Sequence, residues 1–413
     1  MLKCTDRTLF RQRRHFYYLT GCDLPDCHLV YHIPSSHLTL FIPPLEPSSV
    51  IWSGLPLLPK EALKKYDIDD CRPVSELQEF LGNKAPGDLS FEERSNASQP
   101  LTIVEKDHLP TDQYEQSVFL PWNLDTLHRA IDECRVTKDA YEIASIRHAN
   151  EVTAAAHIAV MKSLKSARNE QEVEAVFIER SIALGCKKQA YPGIFGSGGN
   201  AATLHYESNN QPLSGRWNLL VDAAAEWECY CADVTRTLPL SGTFNKESEE
   251  IYTIVKSMQD GCLAMLRAGV QWEDVHVLAH EIAIEGLLAL GILKGNKKEL
   301  FEARTSVAFF PHGLGHYLGM DTHDTGGCPD YDDKDKMFQY LRVRGKLPEG
   351  SVITVEPGIY FCKFIIDPYL EDERQKQFLD KGVLDRYWDV GGVRIEGSIS
   401  SRYDDCLANL GHR

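Results

Sequence analysis

Apolar positions recur with two different periods along the chain, and the change of period divides it. Up to residue 122 short runs dominate. Phe16–Leu19, Cys27–His32 and Leu38–Ile42 are apolar or β-branched and are broken by Gly21, Pro25 and Pro34-Ser35-Ser36, a pattern that predicts strands. Pro59–Lys65 and Val74–Phe80 predict helices, the second ending at Gly82. Residues 83–100, rich in Pro, Gly, Ser and Asn, predict a mobile loop. Together these describe a small N-terminal α/β domain over residues 1–122.

From residue 123 to 413 the pattern lengthens into a second, larger domain. Leu127–Cys134 reads as a helix and leads into Arg135-Val136-Thr137-Lys138. Asp139 then opens an amphipathic helix with Ile143, Ile146, Ala149 and Val152 on one stripe. The next helix begins at Asn169 with an acidic first turn and stops at Gly185, as the helix dipole and a glycine cap favour. Two more are predicted near Glu247–Ala268 and Trp272–Leu290. Each helix pair is followed by a strand pair, an order that suggests an old duplication.

Composition narrows the function classes. The chain has 413 residues, 43% hydrophobic and 25% charged, enough to bury a large core in two domains. A formal net charge of −16 argues against nonspecific nucleic-acid binding. The 12 cysteines are scattered and include no CxxC pair, which reads as free thiols in a reducing cytoplasm and not as a disulfide framework. The arginines at 11, 13 and 14 run straight into a structured FYYLTG stretch. No apolar signal region or membrane-spanning run is present, so neither a leader nor a membrane anchor is expected.

The chemistry gathers in five segments. Leu219–Val221 is an apolar run ending in Asp222, and Cys229–Thr237 carries Asp233. The turn Ala223–Glu228 would let the two pair as a hairpin. A carboxylate at the end of a buried strand is costly unless it is paired or binds a cation, and carboxylates on adjacent strands can share one. Asp233 could instead pair with Arg236. HGLGH holds His312 and His316 four residues apart, but Gly313 and Gly315 disfavour a helix. A glycine-rich loop or bulged strand would turn both rings into one cleft, with His323 in a further turn. Val352–Val355 is a strand ending in Glu356-Pro357-Gly358. In GGVRIEG, Arg394 and Glu396 share a face. Two aspartates, a histidine and two glutamates suit a two-metal hydrolytic site.

LLVDAAAE, ADVTRT, HGLGHYLGMDTHDTGG, TVEPGIYF and GGVRIE resemble, in order and spacing, the signature segments of the pita-bread metallopeptidases. GSGGNAATLHY and FYYLTGCDLPD fit the aminopeptidase P and prolidase branch. The resemblance runs from about residue 7 to about residue 400. It implies an α+β fold, with a C-terminal pita-bread (creatinase/aminopeptidase-like) catalytic domain and a smaller N-terminal domain. That first domain is expected to be truncated, since a leading strand and helix are missing. The resemblance further implies that Asp222, Asp233, His316, Glu356 and Glu396 ligate two divalent ions, usually Mn2+, with Asp233 and Glu396 bridging. His205, His312 and His323 would line the substrate cleft, and Arg394 would stand behind the bridging glutamate.

The activity implied is hydrolysis of the Xaa-Pro bond at peptide N-termini, with a metal-bridging hydroxide as nucleophile and Glu356 relaying its proton. Proline-containing peptides are the expected substrates, and a homodimer or higher homo-oligomer is the expected assembly. Two alternatives stand beside this reading. One is an Xaa-Pro dipeptidase (prolidase), which would use Arg342, fourteen residues before Glu356, to hold the free carboxylate of Xaa-Pro dipeptides. The other is a catalytically dead peptide-binding module, which the complete ligand set disfavours. Gly397 after Glu396, and the final SRYDDCLANLGHR, depart from the family pattern without touching a ligand.

Overall fold

The computed structural model describes residues 10–84, 102–103, 122–123 and 126–400. The expected loop at 83–100 therefore falls almost wholly outside the described residues. The chain divides into two compact units, Met1–Asp132 and Glu133–Arg413.

In the first unit, strands β1 (His28–His32) and β2 (His37–Ile42) pair antiparallel, and β3 (Asp70–Pro73) joins β2 in parallel. A parallel step needs a crossover, and helix α2 (Pro59–Lys65) supplies it. The strand alternation then sorts side chains by face. Leu40 and Ile42 pack with Ala62 of α2 and with Cys22, Cys27 and Cys71. Phe41 points the other way, onto Leu77 and Phe80 of helix α3 (Leu77–Lys84). Phe16–Leu19, expected as a strand, lies within helix α1 (Arg14–Thr20). Its buried residues Arg14, Tyr17 and Thr20 recur every three positions, and Gly21 ends it at φ 63° in the left-handed region. So short an aromatic run fits either period.

The second unit repeats one arrangement. Helices α5 (Ala140–Ser163) and α6 (Glu170–Ala183) pack together and precede the first strands. Helices α7 (Lys246–Met265) and α8 (Trp272–Ala289) do the same for the second set. Asp139 caps α5 in a reciprocal box with Glu142. Between α3 and α5 lie two short strands, β4 (Thr102–Ile103) and β5 (Trp122–Asn123), and helix α4 (Thr126–Val136); a third short strand, β6 (Lys188–Gln189), follows α6.

Strand β8 (Asn218–Asp222) is central, between β7 (Ile194–Ser197) and β11 (Thr235–Pro239), both antiparallel to it. Leu219 and Val221 face Phe177 and Val173 of α6, while Leu220 faces Tyr360 and Ala201. Asp222 follows the Leu220 face. The stretch between β8 and β11 is a small hairpin, β9 (Ala225–Trp227) with β10 (Tyr230–Cys231). Asp233 sits in the extended step after that hairpin, ahead of β11. It was expected within the strand. In the second set, β12 (Val352–Val355) pairs with β15 (Gly397–Ser400), and β13 (Gly358–Tyr360) with β14 (Gly392–Arg394). The two sets join where Glu396 N–H donates to Thr235 O and Thr237 Oγ1 donates to Arg394 O.

Glu170, the first residue of α6, has no exposed surface. Its carboxylate accepts from Ser197 N–H (2.8 Å), Ser197 Oγ (2.6 Å), Asn200 Nδ2 (3.1 Å), Tyr206 OH (2.8 Å) and Gln211 N–H (2.9 Å). It thereby folds the segment holding His205. Burial would raise its pKa, but these donors hold it below the ordinary value. A depressed folded-state pKa stabilises above the unfolded value and is lost as pH falls through the folded one. Glu170→Gln should therefore lower stability at pH 7 by about 2–3 kcal/mol. In thermal melts the gap to wild type should begin to narrow below about pH 4.3 and close only once pH falls through the lower folded-state value.

Candidate active site

The HGLGH stretch does not form a helix. It runs alongside β12: Thr354 N–H donates to His316 O, Glu356 N–H to Leu314 O and Leu318 N–H to Val352 O. His316 N–H donates to Thr354 Oγ1. A Cβ at Gly315 would overlap Thr354 backbone, and one at Gly313 would strike Tyr340 O at 2.6 Å. Glycine is needed because backbone lies on both sides. This docking sets His316 opposite Glu356.

His316 Nε2 lies 3.3 Å from Asp233 Oδ2 and 3.5 Å from Glu356 Oε1. Donor atoms of Asp233, His316 and Glu396 all fall within 4.8 Å of one another. Asp222 reaches the group through Tyr191, whose single phenolic proton lies between Asp222 Oδ1 (2.5 Å) and Asp233 Oδ1 (2.7 Å). Arg394 is also buried. It donates through Nη2 to Asp222 Oδ2 (2.5 Å), through Nη1 to Tyr360 OH (3.0 Å) and through Nε to Thr235 Oγ1 (3.0 Å). Thr235 Oγ1 in turn donates to Glu396 Oε2 at 2.6 Å. The five expected ligand residues thus converge, joined by one tyrosine, one arginine and one threonine.

The histidines have defined roles in this network. His316 Nδ1 donates to Tyr317 O at 3.0 Å, which turns Nε2 towards Asp233 and Glu356. His312 Nδ1 faces Gly313 O at 2.8 Å, so its Nε2 accepts from Tyr360 OH, also at 2.8 Å. Burial, with the Arg394 charge, pushes His312 down to about 3, which keeps the ring neutral. His323 stacks edge-on against His316 with centroids 4.4 Å apart. His205 is exposed and close enough to His312 and His323 to bear on both electrostatically. Arg342 is half-buried, acts on His323 through its charge and pairs with no side chain among the described residues.

The donor set fits divalent cations. Asp233, Glu356 and Glu396 all have raised pKa values, burial first and neighbouring carboxylates next. His316 is raised despite its burial, because Asp233 and Glu356 hold its cationic form. Lone pairs of four carboxylates and one imidazole point into a buried space with Arg394 as the adjoining cation. Ions of charge +2 would reverse each of these shifts and satisfy the oxygen-rich donors.

The sequence profile of "Metallopeptidase family M24" matches residues 144–400, and that of "Aminopeptidase P, N-terminal domain" matches residues 1–88. The chain belongs to metallopeptidase family M24. A Fusarium vanettenii protein named Probable Xaa-Pro aminopeptidase is 58% identical over 94% of this chain and 82% of its own length. A Talaromyces stipitatus protein of the same description is 57% identical, over 94% and 83%. Among solved structures, Pseudomonas aeruginosa aminopeptidase PepP superposes with a TM-score of 0.78 at 26% identity, covering 99% of this chain and 88% of that one. Zinc-substituted Escherichia coli aminopeptidase P in complex with product gives 0.76 at 28%, with the same coverage.

The fold is accordingly that of aminopeptidase P, an N-terminal domain followed by the M24 pita-bread domain, and M24 membership implies divalent ions at the site. Two residues of this M24 site escaped the reading of the sequence, Tyr191 and Tyr360. An aromatic beside glycine or within a strand reads as core. Only Tyr-Pro-Gly, a turn ahead of β7 and beside the aspartate strand, hinted at the first. Outer hydrogen bonds of this kind typically tune metal affinity tenfold or more. Tyr191→Phe should weaken divalent-ion binding about 10-fold in calorimetric titration, with the fold retained.

Proposed function

We infer that the chain is an Xaa-Pro aminopeptidase, releasing the residue ahead of a proline at the head of a peptide. The observation that carries this is the meeting of Asp222, Asp233, His316, Glu356 and Glu396 in a chain more than half identical to proteins bearing that description. These five would hold two divalent ions. Bound there, the ions lower the pKa of water and polarise the scissile carbonyl. Manganese suits the oxygen and nitrogen donors.

The chain's own residues then divide the work. Glu356, with its raised pKa, takes the proton of the attacking water and hands it to the proline nitrogen, which as a tertiary amide has no hydrogen of its own. His323 donates to the carbonyl oxygen as negative charge develops there. His312, kept neutral by burial and by the Arg394 charge, and His205 flank the peptide. Arg394 keeps Asp222 and Tyr360 in place. Residues 1–122 and 123–413 are read as the N-terminal and catalytic domains, in a cytoplasmic homodimer or larger homo-oligomer. No described helix is long and apolar enough to cross a membrane.

A dipeptidase has one observation in its favour. Arg342 is half-buried and near enough to His323 for its charge to bear on that ring. With manganese added, a pentapeptide headed by Gly-Pro should be cleaved, and turnover of Gly-Pro alone would assign the dipeptidase instead. Asp233→Asn should lower kcat by roughly a thousandfold, several kcal/mol of transition-state stabilisation. Thermal stability without metal should hold or rise, because one crowded carboxylate is gone.

A further inference from the structure

Arg135-Val136-Thr137-Lys138, running from the last turn of α4 into the step before α5, docks onto two segments that carry site residues. The side chains of Arg135, Lys138 and Asp324 are each 1% exposed. Lys138 Nζ has three protons and three acceptors: Arg135 O at 2.6 Å, Val136 O at 3.3 Å and Asp324 Oδ2 at 2.8 Å. Arg135 Nη2 bridges Asp324 Oδ1 at 2.6 Å and Asp321 Oδ2 at 2.7 Å. Burial would raise the Asp324 carboxyl, but these two cations hold it below the usual range.

The fit is tight. A Cβ at Gly319 would overlap the Asp324 carboxylate, and one at Gly326 would overlap Val136. Lys138 N–H donates to Gly350 O at 2.9 Å, and Thr137 bridges Ser351 just ahead of β12. Asp324 N–H also donates to Tyr317 O at 2.9 Å. The residue before Asp324 is His323, whose other side rests on the His316 ring.

A buried ion cluster is weak grounds for stability, since desolvation offsets most of the attraction and an apolar plug does as well. This one also leaves Arg135 Nε and Nη1 buried without a hydrogen bond. Its geometry, however, fixes one carboxylate from two directions. We propose that Arg135 and Lys138 are positioning residues that act through Asp324 to set where His323 stands in the cleft. This rests on the reading of His323 as donor to the carbonyl oxygen.

The test is Lys138→Met, which keeps the stem and leaves Asp324 paired with Arg135. On a Gly-Pro-headed pentapeptide with manganese, kcat should fall about 10- to 100-fold with KM within about threefold, the scale of a misplaced catalytic group. Manganese affinity should not change, and Lys138→Arg should recover part of the rate. In a His323→Ala background the same substitution should change kcat less than about twofold, since both act through one group. Unchanged kcat with a lowered melting temperature, or an undiminished effect in the His323→Ala background, overturns the proposal. If His323→Ala alone keeps full turnover, the donor role of His323 fails. The crystal structure of Lys138→Met then judges the positioning separately: a displaced His323 ring supports it, and an unmoved ring overturns it.

Discussion

Four carboxylates and an imidazole share one buried space, with Arg394 as the permanent positive charge hydrogen-bonded there. Like charges at such distances repel strongly in a low dielectric, so the arrangement stands only when its oxygens are answered by protons or cations. The raised pKa values of Asp233, Glu356 and Glu396 express that demand. The surrounding scaffold is rigid enough to impose it. Two helix pairs hold two sets of strands, and the strands meet where β11 touches the link between β14 and β15.

That scaffold explains why each of the four carboxylates comes from a strand end or a step between strands. A side chain there can leave the sheet without breaking the ladder, while its backbone stays paired. Asp222 ends β8, Glu356 follows β12 and Glu396 bridges β14 and β15. Asp233 precedes β11, which pairs with the strand that carries Asp222.

Much of this was legible in the chain. Apolar periodicity marked the long helices from Asp139 onward within a few residues, because amphipathic stripes of that length have one solution. Acidic residues at the ends of apolar runs marked the carboxylates that meet. What local pattern could not supply was long-range. Tyr191 and Tyr360 look like core aromatics until the strands are assembled and their hydroxyls find Asp222, Asp233 and Arg394. Arg135 and Lys138 read as a polar linker, since their partner Asp324 lies more than 180 residues away. The placement of Asp233 outside a strand follows from the small β9–β10 hairpin, whose turn residues Glu228 and Cys229 take left-handed backbone angles that no propensity favours. Phe16–Leu19 was too short for its period to be decided.

The close passage of the HGLGH loop between Tyr340 and β12 has a further meaning for how this chain can change over evolutionary time. The segment from His312 to His316 behaves as a ruler of fixed length. The carbonyls of Leu314 and His316 and the amide of His316 are matched to Glu356 and Thr354, and its glycines leave no lateral room. An insertion or deletion of one residue there would turn His316 away from Glu356. Diversification is thereby pushed outward, to polar stretches such as residues 329–336, which can lengthen or vary in sequence while the spacing of the histidines stays constant.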